Sequence, residues 1–121
     1  MKYLCLVYLE EQKLHAVPDS DCKACGEGLR KSGHHIAAEA LQPVHTATTV
    51  RVRQGKVSMT DGPYVETKEQ LGGYYVIEAK DLQEAIRMAS RIPGARMGCV
   101  EVRPIAEDAQ TLRALGAAQH A

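Results

Sequence analysis

Two short runs of this sequence are apolar at consecutive positions, where a half-buried strand would alternate. They are Tyr3-Leu4-Cys5-Leu6-Val7-Tyr8-Leu9 and Tyr74-Tyr75-Val76-Ile77. Strands of this kind need cover on both faces. The chain has 121 residues, enough for one domain. Its own helices can roof one face of such a sheet, and a second sheet is the simplest cover for the other. The pattern therefore predicts a homodimer with sheets packed face to face. The absence of Phe and Trp points the same way. A core of Leu, Ile, Val, Ala and Met is thin for a small domain, so burying a further face against a partner helps.

Around these runs the chain reads as β-α-β-(hairpin)-β-α-β. Glu10 to Val17 is polar and reads as a loop. Asp19 or Ser20, after Pro18, caps a helix running to about Ser32, with Cys22, Cys25, Gly26, Leu29 and Gly33 on one face. Gly33 stops it. Residues 34–41 give a weak strand signal. Thr46 to Arg53 gives a stronger one, with Thr48, Val50 and Val52 alternating against Thr49, Arg51 and Arg53. Gln54-Gly55 suits a two-residue hairpin turn into Lys56–Thr60, and Asp61-Gly62-Pro63 is a further turn. Gly72-Gly73 reads as a break before the strand at 74–79. Asp81-Leu82-Gln83-Glu84 is a capping box that opens a helix with Leu82, Ala85, Ile86 and Ala89 as its apolar stripe. Pro93-Gly94 ends that helix, and Met97–Arg103 is the last strand. The order predicts an α+β domain: a ferredoxin-like antiparallel sheet with both helices on one face, plus an inserted β-hairpin. Residues 1–105 form the domain, and 106–121 a weakly helical tail.

Composition narrows the function classes. Apolar residues at 45% and charged residues at 25% are ordinary for a globular domain. The formal net charge is +0, which argues against direct binding of nucleic acid. Five tyrosines, the only aromatics, supply base-stacking platforms poorly. No apolar stretch approaches the roughly 20 residues that span a bilayer, so no membrane association is expected. The start runs from an apolar strand straight into Glu10-Glu11 and does not read as a signal peptide. The expectation is a cytoplasmic protein with its four cysteines reduced.

Several residues carry candidate chemistry, each beside a plainer structural role. Asp61, at a strand end before Gly-Pro, suits a general acid or base, and equally a turn that bonds its own backbone amides. Of the histidines, His45 sits best to shuttle a proton, just ahead of the Thr-rich strand. Arg51 and Lys68 can clamp an anion with Glu66 completing the polar set. The alternative is a solvated charged loop. Tyr64 and Tyr75 can offer a phenol to a ligand, although strand tyrosines commonly just pack. Cys22-Lys23-Ala24-Cys25 has the spacing of a zinc or redox motif. There is no second CxxC, and both cysteines fall on the core stripe with Leu29. They read as small buried residues, with no metal and no cofactor expected.

The segment Thr60-Asp61-Gly62-Pro63-Tyr64-Val65-Glu66-Thr67-Lys68-Glu69-Gln70-Leu71-Gly72-Gly73-Tyr74-Tyr75 closely resembles the signature of the DGPF group within the YCII-related family. Ala47–Arg51 upstream and Ala85, Arg91-Ile92-Pro93 and Val100–Pro104 downstream extend the resemblance over roughly residues 1–105. Tyr64 stands where the group usually has Phe. The histidine that some YCII-like proteins carry near the first helix, thought to pair with an Asp, has no counterpart between Pro18 and Ser32. The resemblance implies a dimeric α/β barrel and, because DGPF members are often encoded beside sigma factors, a stress-linked or regulatory role. Three functions follow as expectations. The first is binding of a small molecule, an anion among the options, between sheet and helices near the Asp-Gly-Pro loop. The second is a cofactor-free isomerase, lyase or hydrolase using Asp61 or His45. The third is contact with a sigma factor through the tail.

Overall fold

The structure, a computed structural model, describes residues 1–14 and 16–120. Four strands form one antiparallel sheet: β1 (Lys2–Leu9), β2 (His35–Ala40), β5 (Gln70–Glu78) and β6 (Cys99–Pro104), in the order β2-β5-β1-β6. This is the ferredoxin-like arrangement. β3 (Thr48–Arg53) and β4 (Lys56–Asp61) form the inserted hairpin as a separate two-stranded sheet. Gln54 and Gly55 both take positive φ, 53° and 76°. Two such residues in succession give a turn whose twist matches the strands it joins.

β1 shows why the fold needs helices on one side. Tyr3, Cys5, Val7 and Leu9 are buried and their neighbours are not. The buried set faces α2 (Asp19–Lys31) and α3 (Leu82–Ala89), and joins Leu29, Ile77, Ala85, Met88, Ala89 and Ile92 in one core. The other face is open. Cross-strand register puts Leu4 between Val76 and Arg103, and Leu6 between Tyr74 and Glu101. Ala37 and Glu39 continue these rows onto β2. The centre of this face is thus apolar and half-exposed, and its margins carry charge.

Several local expectations shift. Glu11–Leu14 is a one-turn helix, α1, inside the stretch read as a loop. The cap position of α2 is Pro18, with no side-chain bond, while Asp19 and Asp21 lie in the first turn near the positive end of the helix dipole. Gly33, at φ +79°, terminates α2 as expected. Gly72 and Gly73 do not break the chain; they lie within β5. A Cβ on Gly73 would sit 2.9 Å from the Glu39 carbonyl oxygen, so glycine there lets β2 lie close. Ile36 is the extra residue of a bulge between His35 and Ala37.

On α3, Asp81 accepts from Glu84 N–H at 2.9 Å, half of the expected capping box. The Glu84 carboxylate returns to Lys80 N–H at 3.1 Å and also meets His34 Nε2 at 3.1 Å. The α3 stripe is rotated. Ala85, Met88 and Ala89 are buried, whereas Leu82 and Ile86 stay exposed. A short helix, α4 (Gly94–Met97), follows Pro93. The tail forms α5 (Ala109–His120), with Leu112 and Leu115 exposed. Among the described residues, no helix is long and apolar enough to cross a membrane.

Candidate functional site

The Asp-Gly-Pro turn builds one wall of a polar cleft. Asp61 ends β4 opposite Thr48. Gly62 then takes φ +105°, a backbone state that favours glycine. Its N–H donates to the Ala47 carbonyl at 2.7 Å, and its own carbonyl accepts from Thr49 Oγ1 at 2.9 Å. The turn is pinned, and Gly62 and Pro63 face a cleft of about 750 Å³. The remaining walls are Glu10, Glu11 and Gln12, Val44 and His45, and the segment Glu66–Lys68 with Gln70. Glu10 anchors this end. It is 8% exposed and holds Lys13 and Lys68 at 3.2 Å each. The Lys13 and Lys68 ammonium groups keep its carboxyl below the usual carboxylate range. Glu11 Oε1 accepts from Val44 N–H at 2.5 Å and fixes the turn that bears His45.

His45, Glu66 and Lys68 therefore come together in one cleft. Asp61, Arg51 and Tyr64 are not among its lining residues. All three are exposed, and the Arg51 guanidinium lies over the Tyr64 ring, 5.2 Å from its centroid. Lys68 is engaged by Glu10, so Arg51 and Lys68 stand apart and do not form a single anion clamp.

Tyr75 belongs to a second cleft, of about 600 Å³, between the sheet and the start of α2. Its floor is built from small residues. On the helix side of the sheet, Ala40 stands opposite Gly73 and Gly73 opposite Val7; Ala38 stands opposite Tyr75. A chain with Leu or Ile at 38 and 40 would fill this space. Leu9, Val17, Ile92, Pro93 and Gly94 complete the apolar lining, with Asp19 and Cys22 at the α2 end. Burial, reinforced by the Cys25 and Cys22 sulfurs, pushes the Tyr75 phenol well above its ordinary value of 10.0. Burial also raises Cys25, with Tyr75 opposing, and raises Cys22, where Asp19 and Asp21 add to the effect. At neutral pH this cleft presents a protonated phenol and protonated thiols, that is, hydrogen-bond donors and not strong nucleophiles.

The reading of both CxxC cysteines as buried needs correction. Cys25 is half-buried against the core, but Cys22 is exposed at the cleft mouth because α2 turns only Gly26, Leu29 and Cys25 inward. No group of three His, Cys, Asp or Glu among the described residues is placed to hold a metal ion. The apolar cleft was missed in the sequence. Its signal was present as small residues, Ala38 and Ala40 on one strand and Gly72-Gly73 on the next, but alanine and glycine in weak strands also mark surface positions. Glu10 and Glu11 were missed because a Glu-Glu pair after a strand reads as solvated.

The sequence model of the YCII-related domain matches residues 1–108. An uncharacterised protein of Rhizobium meliloti (strain 1021) is 43% identical over 68 residues, a match covering 54% of this chain and 55% of that protein. The chain thus spans about half the length of this curated relative. Among solved structures, the fold is similar to that of 5-chloro-2-hydroxyhydroquinone dehydrochlorinase from Burkholderia phenoliruptrix AC1100 in complex with 2,5-dihydroxybenzoquinone. That likeness has a TM-score of 0.54 at 15% identity, and covers 91% of this chain and 98% of the other.

Proposed function

The chain belongs to the YCII-related family, and from that premise we propose that it binds a small, neutral, ring-sized organic molecule in the cleft between the sheet and α2. The observation that carries this reading is the cleft itself. It joins an apolar floor of Ala38, Ala40, Gly73 and Val7 to one convergent phenol, Tyr75. Pockets of this kind, mostly apolar with few polar groups, are where small ligands are held. The dehydrochlorinase that shares the fold takes a dihydroxybenzoquinone, a ligand of the class such a cleft suits. Tyr75, as a donor, would bond a carbonyl or hydroxyl oxygen. The working form is a homodimer closed by two open sheet faces. The half-exposed Leu4, Leu6, Tyr74 and Val76 support that arrangement.

A second reading places acid–base chemistry in the polar cleft, where His45 and Glu66 share a wall with the Asp-Gly-Pro turn. There His45 takes the proton-carrying role and Asp61 a structural one. A contact with a sigma factor would fall to the exposed Leu112 and Leu115 of α5.

The test is an NMR screen of phenols, hydroquinones and benzoquinones against the full chain. Shifts should map to the amides of Ala38, Ala40, Gly73 and Tyr75. Ala38→Leu, which fills the floor, should abolish them while the circular dichroism spectrum stays unchanged. Shifts confined to Val44–His45 and Gly62–Lys68 would move the ligand to the polar cleft, and no shifts at all would overturn the binding reading.

A further inference from the structure

The chain makes one excursion that its own core does not use. β3 and β4 pair only with each other, and Thr49 is the single residue of either strand that is not exposed. Alternation gives this hairpin two unlike faces. Val50 stands opposite Met59 and Val52 opposite Val57, and all four are between 55% and 73% exposed. The other face carries Arg51, Arg53 and Lys56, and Tyr64 folds back against Arg51 on that side. The basic face is therefore braced and the apolar face is left free. A two-stranded hairpin alone is marginal in water, and a contiguous apolar patch on it marks a contact surface.

We propose that the hairpin is an arm that lays its Val50-Val52-Val57-Met59 face on a second copy of this chain. The inference rests on the homodimer reading above and adds the part played by the insertion. Charge selects the occupant. The chain has 15 basic and 15 acidic side chains. β3 and β4 hold three of the basic ones (Arg51, Arg53, Lys56) and one acidic one, Asp61, which leaves twelve basic and fourteen acidic elsewhere. The arm is net positive and the body it leaves is net negative. The open sheet face matches the arm in kind: an apolar centre with Glu39 on one edge strand and Glu101 on the other. An apolar arm flanked by arginine and lysine is the complement of an apolar face flanked by glutamate. A second copy supplies that complement.

The experiment compares wild type with Val52→Asp/Val57→Asp by sedimentation equilibrium, together with a photo-crosslinking p-benzoyl-phenylalanine at position 57 of the full chain. Both substituted residues are exposed, and circular dichroism checks the fold. The expected result is a wild-type dimer whose dissociation constant rises roughly tenfold or more in the double variant, and irradiation that yields covalent dimer. A wild-type dimer with an unchanged constant in the variant and no crosslinked dimer overturns the arm while leaving the homodimer intact. It would also assign the apolar face to a different partner. A wild-type chain that stays monomeric overturns the dimer reading, and the arm with it.

Discussion

Raising the pH above 9 should unload stability through one buried thiol, Cys5. This side chain is 0% exposed at the centre of β1, between Tyr75 on β5 and Val102 on β6. Burial pushes its pKa from 9.0 up to about 11. An acid whose folded pKa is raised keeps its proton in the folded chain where the unfolded chain has lost it. Between about pH 9 and 11 the unfolded state binds fewer protons, so stability falls as pH rises and is intact below 9. Two pKa units at about 1.4 kcal/mol each amount to about 3 kcal/mol. Cys5→Ala removes the titration and leaves a void of one sulfur atom, at a cost of about 1 kcal/mol. The variant should then be the less stable protein at pH 8 by about 1 kcal/mol, and the more stable one at pH 11 by about 2 kcal/mol. Urea unfolding of both proteins under reducing conditions, at half-unit steps of pH, reads the difference. The other raised groups, Tyr75 and Cys25, titrate in both proteins and cancel. A gap between the two proteins that stays constant from pH 8 to 11 would refute the reasoning.

Other outcomes follow from single contacts. Gly73→Ala drives a Cβ to 2.9 Å from the Glu39 carbonyl. It should cost about 1–3 kcal/mol in urea unfolding and speed hydrogen exchange selectively in β2. The Glu84 carboxylate is held below its ordinary value by the Lys80 amide and then by His34. A depressed pKa gives stability that is present above the unfolded value and lost as pH falls through the folded one. Glu84→Gln should therefore flatten the acid limb of a melting-temperature profile taken from pH 6 to 3, and an unchanged limb would count against that ion pair.

The sequence showed the architecture wherever the signal was hydrophobic or steric. The doubly apolar β1 run, the Gln54-Gly55 turn and the Asp81 cap each map onto an element because each rests on local chemistry that few alternatives satisfy. The failures have tertiary causes. Gly72-Gly73 looked like a break, yet glycine there admits a neighbouring strand, which is a contact and not a local preference. Leu82 and Ile86 looked like a core stripe, but the facing sheet lies towards Met88. The candidate site divided for the same reason. His45, Glu66 and Lys68 share a cleft that three separate segments assemble. Tyr75 lies over a floor whose defining residues are notable for lacking side chains.

Both margins of the four-stranded sheet carry features that resist lateral growth. On β2, the bulge at Ile36 throws the outer amides out of register with any incoming strand. On β6, Pro104 offers no N–H, and Arg103 and Glu101 place charge along the rim. A third chain has no even ladder to join, so assembly through flat surfaces stops at a finite particle and does not run on into a fibre.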